Sequence, residues 1–184
     1  MKFTLAAGTL AAVVASAASA DITVTLTNQT FTGFNFLTAI DYASLNVVGT
    51  LTAVSVNATL EASTSFTYAD DLCVYVDILP LSTGGFLQVG GFSNLNAAQR
   101  YSWPNGGSSA PGTTVSGTVT LNSALAFTGN AGVDGTIWIG NGYGASGTSG
   151  TWSGTITLIG VDAVPAPGAL ALLGLAGLAA RRRR

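Results

Sequence analysis

The chain predicts an all-β fold, an antiparallel β-sandwich of jelly-roll type. Three observations carry that reading. Apolar and hydroxyl residues alternate with period two along much of the body. Runs of Gly, Asn, Ser and Pro punctuate those stretches. No stretch between residues 21 and 163 has the spacing of an amphipathic helix.

The strands can be read in order. Ile22, Val24 and Leu26 alternate with Thr23, Thr25 and Thr27. Phe34 and Phe36 end a second short run, with Phe31 on the opposite parity. Over 47–60, Leu51 lies on one face and Val54, Val56 and Leu60 on the other. A change of parity within one strand means a bulge or a break. Residues 72–79 are apolar at nearly every position, which suits a central strand covered on both faces. The run 86–92 is interrupted by Gly90 and Gly91.

The longest pattern is Val115, Val119, Leu121, Leu125 and Phe127, all on one parity. A break near Ser123 would make it a hairpin or two strands. Ile137 and Ile139 flank Trp138, and Trp152, Ile156 and Leu158 alternate with Thr151, Ser153, Thr155 and Thr157. Threonine on outward positions satisfies a solvated pleat without charge. That is how a chain with 8% charged residues can build a soluble sheet. Segments 105–112 and 140–150 read as loops, because their Gly, Asn, Ser and Pro favour turn geometry.

The two ends read as addresses. Lys2, an apolar run and the small residues Ala18 and Ala20 make a secretory signal peptide over 1–20. Cleavage after Ala20 would leave Asp21 at the mature N-terminus. The other end, 164–184, reads Val164, Pro165, Ala166, Pro167, Gly168, then an apolar run, then Arg181, Arg182, Arg183 and Arg184. The run 169–180 holds only Ala, Leu and Gly and is 12 residues long. A full span needs roughly 20. A short apolar helix followed by arginines kept on the cytoplasmic side describes a brief stop-transfer tail.

That order of Pro motif, apolar helix and Arg cluster resembles the PEP-CTERM sorting signal of Gram-negative bacteria. Ala166 stands where that family usually has Glu. The resemblance implies transient membrane insertion and processing by exosortase, a membrane enzyme linked to exopolysaccharide-producing envelopes. The implied partners are the export machinery, signal peptidase, an exosortase-type enzyme and exopolysaccharide. The implied destination is the cell surface or extracellular matrix.

A second resemblance concerns the body alone. The runs from Asp70 to Val76, from Gly135 to Ile139 and from Gly150 to Leu158 are similar in order to the jelly-roll P domain that accompanies proprotein-convertase-type proteases. It implies fold only.

Composition excludes several functions. The body, 21–163, has one basic residue, Arg100, against eight acids, a side-chain net of −7. Nothing there can neutralise a row of phosphates, so nucleic acid is not an expected partner. Cys73 is the only cysteine, so no internal disulfide can form, and its apolar surroundings suit a small core residue. The chain has no histidine and the body no lysine. Ser-His-Asp, Cys-His, Ser-Lys and Schiff-base chemistry are thereby missing. The expectation is a structural or adhesive protein without enzymatic activity or a cofactor.

The alternative is a calcium- or carbohydrate-binding module of the same fold. Calcium takes hard oxygen donors, for which Asp70, Asp71 and Asp134 are candidates. The spacing also suits turn and strand-end aspartates without metal. For a sugar, Arg100, Tyr101 and Trp103 combine a cation with two aromatic rings in a loop-like segment. Tyr143, Trp138 and Trp152 are further aromatic candidates, the two tryptophans equally suited to the core.

Overall fold

The computed structural model describes residues 21–42, 45–82 and 84–165. The expected signal peptide with Ala18 and Ala20, and the expected sorting segment from Ala166 through Pro167 and Gly168 to the four arginines, lie outside the described residues.

The described chain is built from nine strands, two antiparallel-rich sheets and almost no helix. The strands are β1 (Ile22–Thr32), β2 (Phe36–Thr38), β3 (Leu45–Thr64), β4 (Leu72–Asp77), β5 (Leu87–Val89), β6 (Gln99–Tyr101), β7 (Thr113–Thr128), β8 (Thr136–Asn141) and β9 (Ser149–Pro165). A 3-10 turn, Ala69–Asp71, precedes β4, and one helical turn, α1 (Ala131–Asp134), precedes β8. The first sheet has the order β1-β9-β3-β7 and the second β2-β8-β4-β5-β6. All pairs are antiparallel except β5 with β6, which run parallel. The wholly antiparallel expectation is corrected at that one edge.

One hydrophobic core lies between the sheets. Val54, Val56, Leu60, Trp152, Ile156 and Leu158 come from the first sheet, and Val74, Val76, Leu87, Val89, Ile137 and Ile139 from the second. Every residue of β4 is buried. Its even positions enter this core, while Cys73 and Tyr75 pack with Leu95 on the opposite face, against Phe36 and Trp138. The unbroken apolar run of β4 is explained by that double cover. Burial holds the Cys73 thiol well above its usual pKa, so it stays protonated and inert.

The solvent face of the first sheet is a threonine and serine surface. Cross-strand hydroxyl pairs join Thr23 to Thr157 at 3.2 Å, Thr30 to Thr151 at 2.8 Å and Thr59 to Thr114 at 3.1 Å. Parity changes in the sequence are bulges. Register shifts between Leu51 and Ala53 where β3 meets β7, and between Leu26 and Gln29 where β1 meets β9. Asn28, at φ 47°, turns the backbone through that second bulge and puts Phe31 into the core.

β7 stays one strand across Ser123 because β6 fills the gap its bulge leaves. The backbone N–H of Ser123 donates to the Gln99 side chain at 3.1 Å, and that of Asn122 donates to the Tyr101 hydroxyl at 2.7 Å. The chain then follows the β7 edge. Pro104 rests on Gly117, and the Asn105 side chain accepts from the Ser116 N–H at 2.7 Å. Residues 99–106 are therefore the seam that closes one side of the two sheets.

The strands give the molecule two poles. Thr32, Thr64 and Ser149 meet in register at one end, and Leu45 pairs with Pro165 at the other. The 16 steps from Ser149 to Pro165 span roughly 50 Å of strand. β9 continues through Val164 and Pro165, two residues beyond the body boundary at 163. Among the described residues no helix is long and apolar enough to cross a membrane.

Candidate functional site

The pole away from Pro165 carries an aromatic cleft. Phe66, Tyr68, Asp71, Phe92 and Tyr143 line a cavity of about 210 Å³. A second cavity of about 280 Å³ shares Tyr68, Asp71 and Phe92, and extends to Asp70, Arg100, Ser102 and Trp103. Phe66 is 77% exposed and Phe92 75%, the two most exposed large apolar side chains among the described residues.

Each aromatic residue is held by its own loop. Phe66 sits in the turn between β3 and the 3-10 turn. Thr67 closes that turn by donating through both its N–H and its hydroxyl to the Thr64 carbonyl, at 3.2 and 2.9 Å. Ser65 and Phe66 both have left-handed backbone, with φ 51° and 62°. Each such non-glycine residue costs about 1–2 kcal/mol. Held strain beside an exposed ring is the pattern of a functional position.

Phe92 and Tyr143 face each other edge to face, with ring centroids 5.5 Å apart. Glycines make this possible. Gly91 has φ 80°, and a Cβ there would stand 2.8 Å from the Gly142 Cα. The two backbones can touch only because both residues lack side chains, and the next residue of each carries its ring to the other. Hydrogen bonds then lock the floor. Gly142 N–H donates to the Asp71 carbonyl at 2.8 Å, Gly91 N–H to the Asp70 carbonyl at 2.9 Å, and Ser93 N–H to the Gly142 carbonyl at 2.9 Å. Buried Gln88 braces the loop from below, donating to the carbonyls of Gly90 and Ser93 and accepting from the Leu95 N–H.

Asp71 is the electrostatic centre. Its carboxylate accepts from the Tyr68 N–H at 2.7 Å and the Phe92 N–H at 3.1 Å, tying two walls of the cleft together. Burial pushes its carboxyl up to about 6; the two backbone donors oppose the rise, and the Asp70 charge beside it adds to it. Burial raises Asp70 as well. The Arg100 guanidinium donates to the Phe92 carbonyl at 2.8 Å and borders the second cavity.

The structure redistributes the residues proposed from sequence. Arg100, Asp70 and Asp71 come together at the cleft, although they were read as separate sites. Trp103 is no exposed stacking platform. It is 5% exposed, its indole N–H donates to the Leu72 carbonyl at 2.6 Å, and it borders the second cavity from within the fold. Tyr101 is not in a loop but in β6, half-buried, with its hydroxyl committed to Gln99 and Asn122. Trp152 is a core residue that donates to the Ala69 carbonyl, and Trp138 is partly buried against Tyr75.

Asp134 lies at the other pole, because it precedes the start of β8 while Asp71 precedes the start of β4, and those strands are antiparallel. Its carboxylate accepts from the N–H of Thr128 and of Asn130. Partial burial alone would raise its pKa, but those donors outweigh it and hold the carboxyl below the usual range. The three aspartates do not form one calcium site. Among the described residues no group of three or more His, Cys, Asp or Glu side chains could hold a metal ion.

Phe66, Tyr68 and Phe92 were not singled out from sequence. Their one local signal is an aromatic residue directly after a turn, as in Gly90-Gly91-Phe92. No family model, no curated protein and no solved structure matches the chain.

Proposed function

We propose that the chain is an exported, non-enzymatic jelly-roll module of the cell envelope or its extracellular polysaccharide matrix, with a structural or adhesive role. The fold half of this reading rests on nested strand pairing. β1 pairs with β9, β2 with β8, β3 with β7, and β4 with β5. First-with-last pairing across two sheets is what results when one long hairpin is rolled up. The delivery half rests on the signal peptide over 1–20, the Pro-Ala-Pro tail and its terminal arginines. Signal peptidase and an exosortase-type enzyme are the processing partners of this reading.

The single observation that carries the adhesive role is polarity. β9 leads into the tail segment at one pole, and the aromatic cleft occupies the other. A module tethered during export through its C-terminal side therefore holds outward Phe66 and Phe92, the two most exposed large apolar side chains among the described residues. Intact-mass analysis and N-terminal sequencing of surface-recovered protein test the delivery. The expected species begins at Asp21 and lacks Arg181–Arg184. A cytoplasmic chain beginning at Met1 and retaining the arginines would overturn it.

A further inference from the structure

We infer that the cleft formed by Phe66, Tyr68, Phe92 and Tyr143 binds a neutral hexose polysaccharide. The inference deepens the adhesive reading by naming its ligand, and rests on that reading only for where the ligand is met.

The walls supply stacking faces. Pyranose rings present a flat patch of C–H groups, which packs on aromatic rings, and Phe66 and Phe92 offer theirs to solvent at 77% and 75% exposure. The walls are also fixed in advance. Asp71 bonds to both the Tyr68 and the Phe92 backbone, and Gly91 abuts Gly142, so little ordering remains to oppose binding. Phe66 adds an argument of a different kind. A left-handed turn position is best filled by glycine, yet this sequence keeps a phenylalanine there, at φ 62° and in solvent. Unlike Leu81, which is also exposed at a left-handed φ, Phe66 lines the aromatic cleft, where its ring can meet a ligand.

The polar margin selects the ligand. Asp70, Asp71, Arg100 and Ser102 border the adjoining cavity with both donors and acceptors, as a hydroxyl-rich chain requires. Two carboxylates against one guanidinium disfavour an acidic polymer, and the body as a whole has a net side-chain charge of −7. A small quaternary cation, which aromatic walls and carboxylates also suit, would leave the Arg100 and Ser102 donors of the second cavity unused. The two cavities, about 210 and 280 Å³, share Tyr68, Asp71 and Phe92 as walls and together offer room for more than one sugar ring.

The test is affinity electrophoresis of the purified full chain. The gels carry an α-glucan, a β-glucan, a mannan or a galactan, with alginate as the acidic polymer and tetramethylammonium as a soluble competitor. At least one neutral polymer should retard the chain, and alginate should not. Phe92→Ala should weaken that binding about tenfold, the equivalent of one ring contact. Phe66→Gly should weaken it too while raising the thermal midpoint, because glycine relieves the turn. A purely structural role for Phe66 would not separate binding from stability in this way. Three results would overturn the inference: no retardation by any of the four neutral polymers, retardation unaltered by both substitutions, or displacement by tetramethylammonium. Binding by purified protein is independent of export, so either proposal can fail while the other stands.

Discussion

Trp103→Ala is expected to destabilise the fold by about 3–5 kcal/mol, the usual cost of emptying a buried tryptophan site. The side chain is 5% exposed and lies against Gly90, in the seam between the two sheets. Its N–H bond to the Leu72 carbonyl, at 2.6 Å, also disappears, and that acceptor is buried. For a body of this size the midpoint should fall by on the order of 10 °C. Thermal unfolding followed by circular dichroism measures it. A midpoint within a degree or two of wild type would show that the indole is a surface group after all.

The second large effect is at Asp71. Its carboxyl is pushed from 3.8 to about 6 in the folded chain. Below pH 4 it is protonated both folded and unfolded, and carries no penalty. Between pH 4 and 6 the folded chain holds the proton that the unfolded chain has lost, so stability falls as pH rises. Above pH 6 both states are ionised and the full penalty remains. The displacement corresponds to about 3 kcal/mol at most, and water in the adjoining cleft screens it to roughly half. Burial shifts Asp70 in the same direction, and it adds to the decline. Asp134, held below 3.8, contributes stability that is lost only as pH falls further, outside it.

The measurable outcome is a midpoint that declines from pH 4 to pH 6. Asp71→Asn should flatten that decline, because the amide does not titrate. The Tyr68 and Phe92 N–H groups donate to different carboxylate oxygens, and one of these becomes an NH2 group in the amide, so one of the two bonds is lost. The variant should therefore be less stable than wild type at pH 4. A midpoint rising from pH 4 to 6 in wild type would mean that the backbone donors outweigh burial at this carboxyl.

The sheets were legible because alternation has one dominant cause, the two-sidedness of a strand. The run 72–79 marked the strand covered on both faces only as far as Asp77, since Ile78 and Leu79 lie exposed beyond its end, and the parity change near Leu51 marked a real bulge. The pattern around Ser123 was ambiguous for a definite reason. What keeps β7 whole is Gln99 and Tyr101, more than 20 residues away, and no local pattern contains them.

The cleft was half legible. The chemical types of Asp70, Asp71 and Arg100 stood out in a chain with few charges. Phe66 and Phe92 did not, since a phenylalanine near a strand end is ordinarily core, and their exposure depends on where three separate loops meet. Trp103 misled for the opposite reason. Its neighbours Pro104, Asn105 and Gly106 have loop composition, yet that loop lies along β7 and presses the indole inward. Loop composition predicts turns, not which side chains face water.

On the proposed reading, one pole of this sparsely charged, net-acidic two-sheet fold binds a neutral polysaccharide, and the opposite pole, at Pro165, faces the C-terminal segment. Hydrogen exchange of the full chain, with and without the neutral polymer that retards it, tests this most directly. Added protection is expected only at 66–71, 90–93 and 141–143, with the amides near Pro165 unchanged. Protection spread over the threonine face of β1, β9 and β3, or gathered around 78–86 and α1 at the tail pole, would contradict it.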